Sequence, residues 1–203
     1  MTYEKREYST NKKIQKQKKD INSFYASSSL KYGSKSDKHL IIDASEERTR
    51  KCLISHGIPN ENIVTVDIEC ENSDDLHYKQ MLSEFLQETD QIFNNVWADV
   101  INHPTNARKQ VKGLFEKRLI KKGGIFAITI CPRKTSLRSF GLFQPNLLKM
   151  AKRNNYNLKL IKTPTLLSIK CKGGTKYNIP KNMTYNGANK KTGRTMTAFY
   201  RVM

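Results

Sequence analysis

The chain reads as an α/β protein: an open, mostly parallel sheet with helices on both faces and an antiparallel hairpin at its C-terminal edge. Three observations predict this. From His39 onward, short apolar runs alternate with amphipathic stretches, the pattern of strands joined by helical crossovers. The runs are apolar throughout rather than every second residue, which is how strands covered on both faces read. The last strand-like segments have no helical stretch between them, so they are expected to pair antiparallel.

Residues 1–38 read as a flexible basic arm and residues 39–203 as the α/β domain. Residues 11–20 are rich in Lys and Gln with one aliphatic residue, Ile14, and Ser27-Ser28-Ser29 follow. No core-forming period shows there, and such a composition predicts disorder. His39-Leu40-Ile41-Ile42-Asp43 is the first buried strand, ending in an acid. Ser45 then offers an N-cap and Glu46-Glu47 place acids in a first helical turn. Cys52, Leu53 and Ile54 form the apolar face of that helix, His56-Gly57 stop it, and Pro59 forbids continuation. Ile63-Val64-Thr65-Val66-Asp67 is a second strand ending in an acid. Strand, helix and strand over residues 39–67 make a βαβ unit with a right-handed crossover.

Residues 74–89 are expected as a helix with Leu76, Met81, Leu82, Phe85 and Leu86 on one stripe. Residues 95–101 read as a third strand, and residues 106–121 as a helix with Val111, Leu114, Phe115, Leu119 and Ile120 inward. Lys121-Lys122-Gly123-Gly124 ends that helix, with cations at its negative pole. Ile125 to Ile130 is a fourth, fully apolar strand. Residues 140–154 read as a helix, 156–161 as a strand and 165–171 as another. Residues 172–194 read as a long basic loop, and residues 195–202 as a last alternating strand.

Charge is divided along the chain. The net charge is +19. Residues 1–38 carry 10 basic and 4 acidic side chains, residues 39–100 carry 4 and 13, and residues 101–203 carry 23 and 1. A basic half of that strength points to a polyanionic partner, DNA or RNA, bound through lysine and arginine. The candidate contacts are Arg133, Lys134 and Arg138 after the fourth strand. Lys172, Lys176, Lys190, Lys191 and Arg194 in the long loop join them, with Tyr177 and Tyr185 interleaved for base stacking. Cys52, Cys70, Cys131 and Cys171 are far apart, with no C-x-x-C pair. Neither a zinc site nor a disulfide framework is expected. No apolar stretch approaches the roughly 20 residues of a membrane span, and the first residues lack the apolar core of a secretory signal. A soluble, intracellular protein is the expectation.

Ligands of open α/β sheets bind beyond the carboxyl ends of the strands. Asp43, Asp67 and Asp99 fall there, and Asp67 follows Asp43 by 24 residues, close to the spacing at which an acid meets a ribose diol. Each acid also has a plain structural reading, capping the next helix or ending a strand.

The stretches Leu40-Ile41-Ile42-Asp43-Ala44-Ser45, Ile63-Val64-Thr65-Val66-Asp67-Ile68, Val96-Trp97-Ala98-Asp99-Val100-Ile101-Asn102-His103-Pro104 and Leu119 to Thr129 together carry a resemblance. They are similar to class I S-adenosylmethionine-dependent methyltransferases, Rossmann-like proteins with an antiparallel last strand. The likeness is greatest to the short methyltransferase-like proteins of large DNA viruses and phages. It spans residues 39–163 and 195–203. It implies S-adenosylmethionine over Asp43, Ala44, Ser45, Asp67 and Ile68, and an acceptor beside Asp99, Asn102 and His103. Asn102-His103-Pro104-Thr105 resembles the N-P-P-Y loop that holds an exocyclic amine in amino-methyltransferases, with His103 and Thr105 departing from it. His103 is also placed to act as a general base. The family's glycine-rich loop after the first strand is here Asp43-Ala44-Ser45-Glu46-Glu47, without glycine. The layout also reads one strand–helix unit short between Asp67 and Asn95. Two functions follow: a nucleic-acid methyltransferase, or a non-enzymatic nucleic-acid-binding or virion protein on a degenerate methyltransferase fold. The resemblance places the protein in a host cytoplasm or nucleus, or in a virion.

Overall fold

The computed structural model describes residues 12–43, 47–68, 76–100, 104–130, 136–161, 166–170, 176–180, 184–186 and 194–203. Its helices are α1 (Lys12–Tyr32), α2 (Arg48–Ser55), α3 (Leu82–Glu88), α4 (Pro104–Gln110), α5 (Lys112–Glu116) and α6 (Ser136–Arg153). Its strands are β1 (His39–Ile41), β2 (Ile63–Val66), β3 (His77–Tyr78), β4 (Asn95–Asp99), β5 (Ile125–Ile130), β6 (Leu158–Leu160), β7 (Leu166–Lys170), β8 (Lys176–Pro180), β9 (Thr184–Asn186) and β10 (Arg194–Val202). The main sheet runs β3-β2-β1-β4-β5-β10-β6, with β9 paired to β10. Strands β1 to β5 are mutually parallel, and β10 is antiparallel to both β5 and β6. Strands β7 and β8 pair separately.

Alternation along the central strands sends side chains to two cores. Leu40, Val64, Val66, Val96, Ala98, Phe126 and Ile128 meet α3 to α6 on one face. Ile41, Ile63, Trp97, Ile125, Ala127 and Phe199 meet α1 and α2 on the other. The expected α/β architecture, with helices on both faces and an antiparallel edge, is the observed one. Strand β10 inserts between β5 and β6, however, rather than adding outside them as one arm of a terminal hairpin.

Several local expectations change: α2 begins at Arg48 with no acid in its first turn, and His77-Tyr78, inside the helix expected over 74–89, are strand. Residues 12–32, read as part of a flexible arm, form α1, with Ile21, Tyr25 and Ala26 fully buried. The buried stripe was hidden because Asn22, Ser28 and Ser29, also buried there, read as polar. They let the helix approach the sheet closely, and Ser29 Oγ donates to the Ala26 carbonyl at 2.8 Å, so its hydroxyl stays satisfied. The unit that read as missing after Asp67 is present as β3, two residues beside β2, followed by the short α3. The helix expected over 106–121 divides into α4 and α5 and ends early, because Arg118 turns left-handed at φ 57° and directs Leu119 and Ile120 inward. The long loop contains β8 and β9, whose backbone pairing needs no apolar alternation.

Gly123 and Gly124 do separate jobs at the entry to β5. Gly123 takes φ 94°, open to a residue without a β-carbon, and its N–H donates to the Val202 carbonyl at 2.7 Å. Gly124 is buried, and a β-carbon there would collide with the carbonyl oxygen of Asn94. Gly124→Ala is therefore expected to cost at least about 2–3 kcal/mol, the scale of overpacking a rigid interior, whereas Gly123→Ala costs about 1 kcal/mol of left-handed strain. Denaturant midpoints of the two variants test the order; equal losses would refute it. Among the described residues, no helix is long and apolar enough to cross a membrane.

Candidate active site

Strands β2, β1 and β4 lie side by side and parallel, so their carboxyl ends share one edge. Asp67 follows β2 directly, Asp43 stands two residues past β1, and Asp99 is the last residue of β4. Each acid feels another. Burial pushes Asp43 up to about 7, helped by the charges of Asp99 and Glu47 and opposed by the backbone N–H groups of Arg50 and Thr49. Burial also raises Asp99, with Asp67 adding to it, while Lys18 and a hydrogen bond from Thr129 act the other way. The three acids thus form one electrostatic cluster.

Their roles differ. Asp43 Oδ2 accepts the Arg50 N–H at 2.8 Å in the first turn of α2, as expected of an acid that caps the following helix. Arg50 itself is buried and ties α2 to β2: its Nη1 donates to the Ile63 carbonyl at 2.9 Å and to Thr65 Oγ1 at 3.0 Å, and its Nε to Asn60 Oδ1 at 2.9 Å. Asp99 is a different case. Its Oδ1 is buried and has no hydrogen-bond partner among the described residues. Ile68, next to Asp67, is about half exposed at the same edge. Glu47 holds a left-handed φ of 49° and accepts from His77 Nε2 at 3.1 Å across β3. A glycine would take that conformation without strain.

Two residues escaped the sequence reading. Lys18 reaches the acid cluster from α1, three residues before the buried Ile21; helical spacing would have placed it there had α1 been recognised. His39 lies at the opposite, amino end of the parallel strands, fully buried, with Nδ1 3.4 Å from Tyr25 Oη and Nε2 3.5 Å from Asn95 Nδ2. Burial lowers it to about 4, with Asp37 opposing. Of the other anticipated residues, Arg138 falls on α6 rather than in a loop, Lys176 on β8 and Arg194 on β10. Ala44, Ser45, Asn102, His103, Arg133, Lys134, Lys172, Lys190 and Lys191 lie outside the described residues.

Asp43 and His39 set opposite pH dependences. The raised Asp43 contributes stability that is present below its unfolded value of 3.8 and lost as pH rises toward 7. The lowered His39 contributes stability that is present above 6.5 and lost as pH falls toward 4. Each is worth up to about 1.4 kcal/mol per pH unit within its window. Relative to the native chain, Asp43→Asn should lose stability on acidification from pH 7 to 4.5, and His39→Gln should gain it. Urea midpoints at the two pH values measure both signs, and parallel shifts in the two variants would refute them.

No protein-family model matches the sequence, and no curated protein matches it. Solved structures do resemble it. The N-methyltransferase NodS of Bradyrhizobium japonicum WM9 superposes with a TM-score of 0.51 at 12% identity, covering 92% of this chain and 96% of that one. The Burkholderia thailandensis 1,6-didemethyltoxoflavin-N1-methyltransferase, solved with bound 1,6-didemethyltoxoflavin and S-adenosylhomocysteine, gives 0.49 at 10% identity, covering 90% and 77%. A S-adenosylmethionine-dependent methyltransferase from Archaeoglobus fulgidus gives 0.45 at 12%, covering 90% and 94%. The fold is that of the class I S-adenosylmethionine-dependent methyltransferases, a Rossmann-like α/β sheet, as the sequence resemblance implied.

Proposed function

We propose that this protein binds S-adenosylmethionine at the acidic edge and transfers its methyl group to a nucleic acid. The observation that carries this reading is the buried Asp99 Oδ1 at the carboxyl end of β4, which has no hydrogen-bond partner among the described residues and so would take a donor from a bound molecule. An orphaned acceptor of that kind costs free energy until a donor meets it. Asp67 and Asp99 together also suit a donor-rich ligand. The residues present therefore fit the cofactor. Asp67 would accept the ribose hydroxyls, Ile68 would cover apolar surface, and Asp99 would face the amine of the acceptor. When bound, the cofactor supplies a methyl carbon on a sulfonium to a nitrogen or oxygen lone pair. Asp43, spent on α2, keeps the edge in shape rather than touching ligand. The net charge of +19 supports nucleic acid as acceptor, since it favours a polyanion.

A second reading has its own support: a nucleic-acid-binding protein on a degenerate methyltransferase fold. Glu47 is left-handed where a glycine would be unstrained, and Asp43 is already engaged. Calorimetric titration with S-adenosylmethionine, followed by transfer of labelled methyl to RNA or DNA, separates the two. Saturable binding with transfer upholds the first reading; heatless mixing leaves the second.

A further inference from the structure

Away from the acidic edge, α4 and α6 pack side by side on the helical layer opposite α1 and α2. Between them, with the start of α5, runs an open groove of about 610 Å³. Among the described residues, Arg108, Lys109, Lys112, Lys149 and Arg153 line it, together with Asn146 and one apolar residue, Met150. Lys112 is paired with Glu116 at 3.0 Å. Among the described residues, no carboxylate pairs with the other four.

We infer that this groove holds the sugar–phosphate backbone of a nucleic acid. Four cations on adjoining helices, with no counter-charge among the described residues, repel one another, and a bound polyanion removes that penalty while releasing its own counterions. Two guanidinium forks suit phosphate oxygens, and Asn146 adds a neutral polar group. A groove of this volume, with cations spread over three helices, fits successive phosphates better than one isolated anion. The described lining argues against an acidic protein, whose docking would need apolar or aromatic anchors at the centre of the patch; among those residues Met150 is alone. Helices α4 and α6 both begin just after the carboxyl ends of β4 and β5. This assignment rests on the proposed nucleic-acid acceptor for its biological sense, but not on methyl transfer for its physics.

The test is fluorescence anisotropy of labelled 20-nucleotide RNA and 20-base-pair DNA between 50 and 200 mM salt. The fourfold variant R108Q/K109Q/K149Q/R153Q is compared with a charge-matched control, K38Q/K121Q/K122Q/K159Q, made at exposed lysines elsewhere. The groove variant is expected to bind at least about tenfold more weakly at 50 mM salt, with a log–log salt slope lower by about 3, while the control keeps most of its affinity. Equal losses in both would overturn the assignment in favour of a diffuse field. So would displacement of the oligonucleotide by polyglutamate at equal charge concentration, or no binding by the native chain at 50 mM salt. Should the fourfold variant not fold, R108Q/K109Q and K149Q/R153Q carry the same comparison, each lowering the slope by about 1–2. S-adenosylmethionine calorimetry on the groove variant keeps the two proposals apart. Cofactor binding is expected to persist there. A native chain that binds oligonucleotide through the groove but takes no cofactor sinks the transfer reading alone.

Discussion

Removal of residues 1–33 is expected to leave a chain that does not fold cooperatively. Ile21, Tyr25 and Ala26 of α1 are fully buried. Tyr25 packs on Trp97 with ring centroids 5.1 Å apart and on Phe199 at 6.4 Å, and Phe24 meets Phe199 edge-on at 4.9 Å. Without α1, the sheet face made by Ile41, Trp97, Ile125, Ala127 and Phe199 is left to α2 alone. Each large side chain newly exposed loses about 1.5–3 kcal/mol. Several such losses match or exceed the 5–15 kcal/mol by which domains are usually stable. Tyr25→Ala by itself should cost about 3–5 kcal/mol. Circular dichroism through a thermal melt decides the matter. A truncated chain with a sharp transition near that of the full chain would show that α1 is dispensable.

Asp67→Ala is expected to weaken S-adenosylmethionine binding by about 100-fold while leaving the melting temperature nearly unchanged. The residue follows β2 at a partly exposed position, so little packing is lost. Two hydrogen bonds from a ribose diol to a carboxylate are lost together, each worth about 1.5–3 kcal/mol for a charged acceptor. Asp67→Asn keeps the size and some acceptor capacity and should fall between. Calorimetry at fixed salt reads all three chains. Equal affinity across them would remove Asp67 from the cofactor site, and with it the reading of the acidic edge.

The legible parts of the fold were those in which one residue type dominates a short run. Ile125 to Ile130 is apolar throughout, and all six residues are buried in β5. Leu40-Ile41 and Ile63 to Val66 were equally plain. The ends of these runs placed Asp43, Asp67 and Asp99 on one edge, because parallel strands must end together. Strand β3 was illegible for a simple reason: two residues, His77 and Tyr78, carry no period. Helix α1 was illegible because its buried face mixes Ile21 and Tyr25 with Asn22, Ser28 and Ser29, and burial of the small polar residues depends on the sheet beneath them. The groove between α4 and α6 was spread over residues 108–153 and has no local signature.

Local chemistry along the chain thus determined the alternation of strands and helices, the two-faced burial of the central strands and the acids at their ends. These follow from hydrophobic periodicity and backbone preference, which act over a few residues. Tertiary structure alone decided that β10 enters between β5 and β6. It also decided that a lysine-rich N-terminal segment supplies Ile21, Tyr25 and Ala26 to one core, and that Asp43 serves α2 while Asp99 keeps an oxygen without a partner among the described residues. Those outcomes depend on which groups meet across large sequence separations, where burial and pairing fix each residue's free energy and its neighbours in the chain do not.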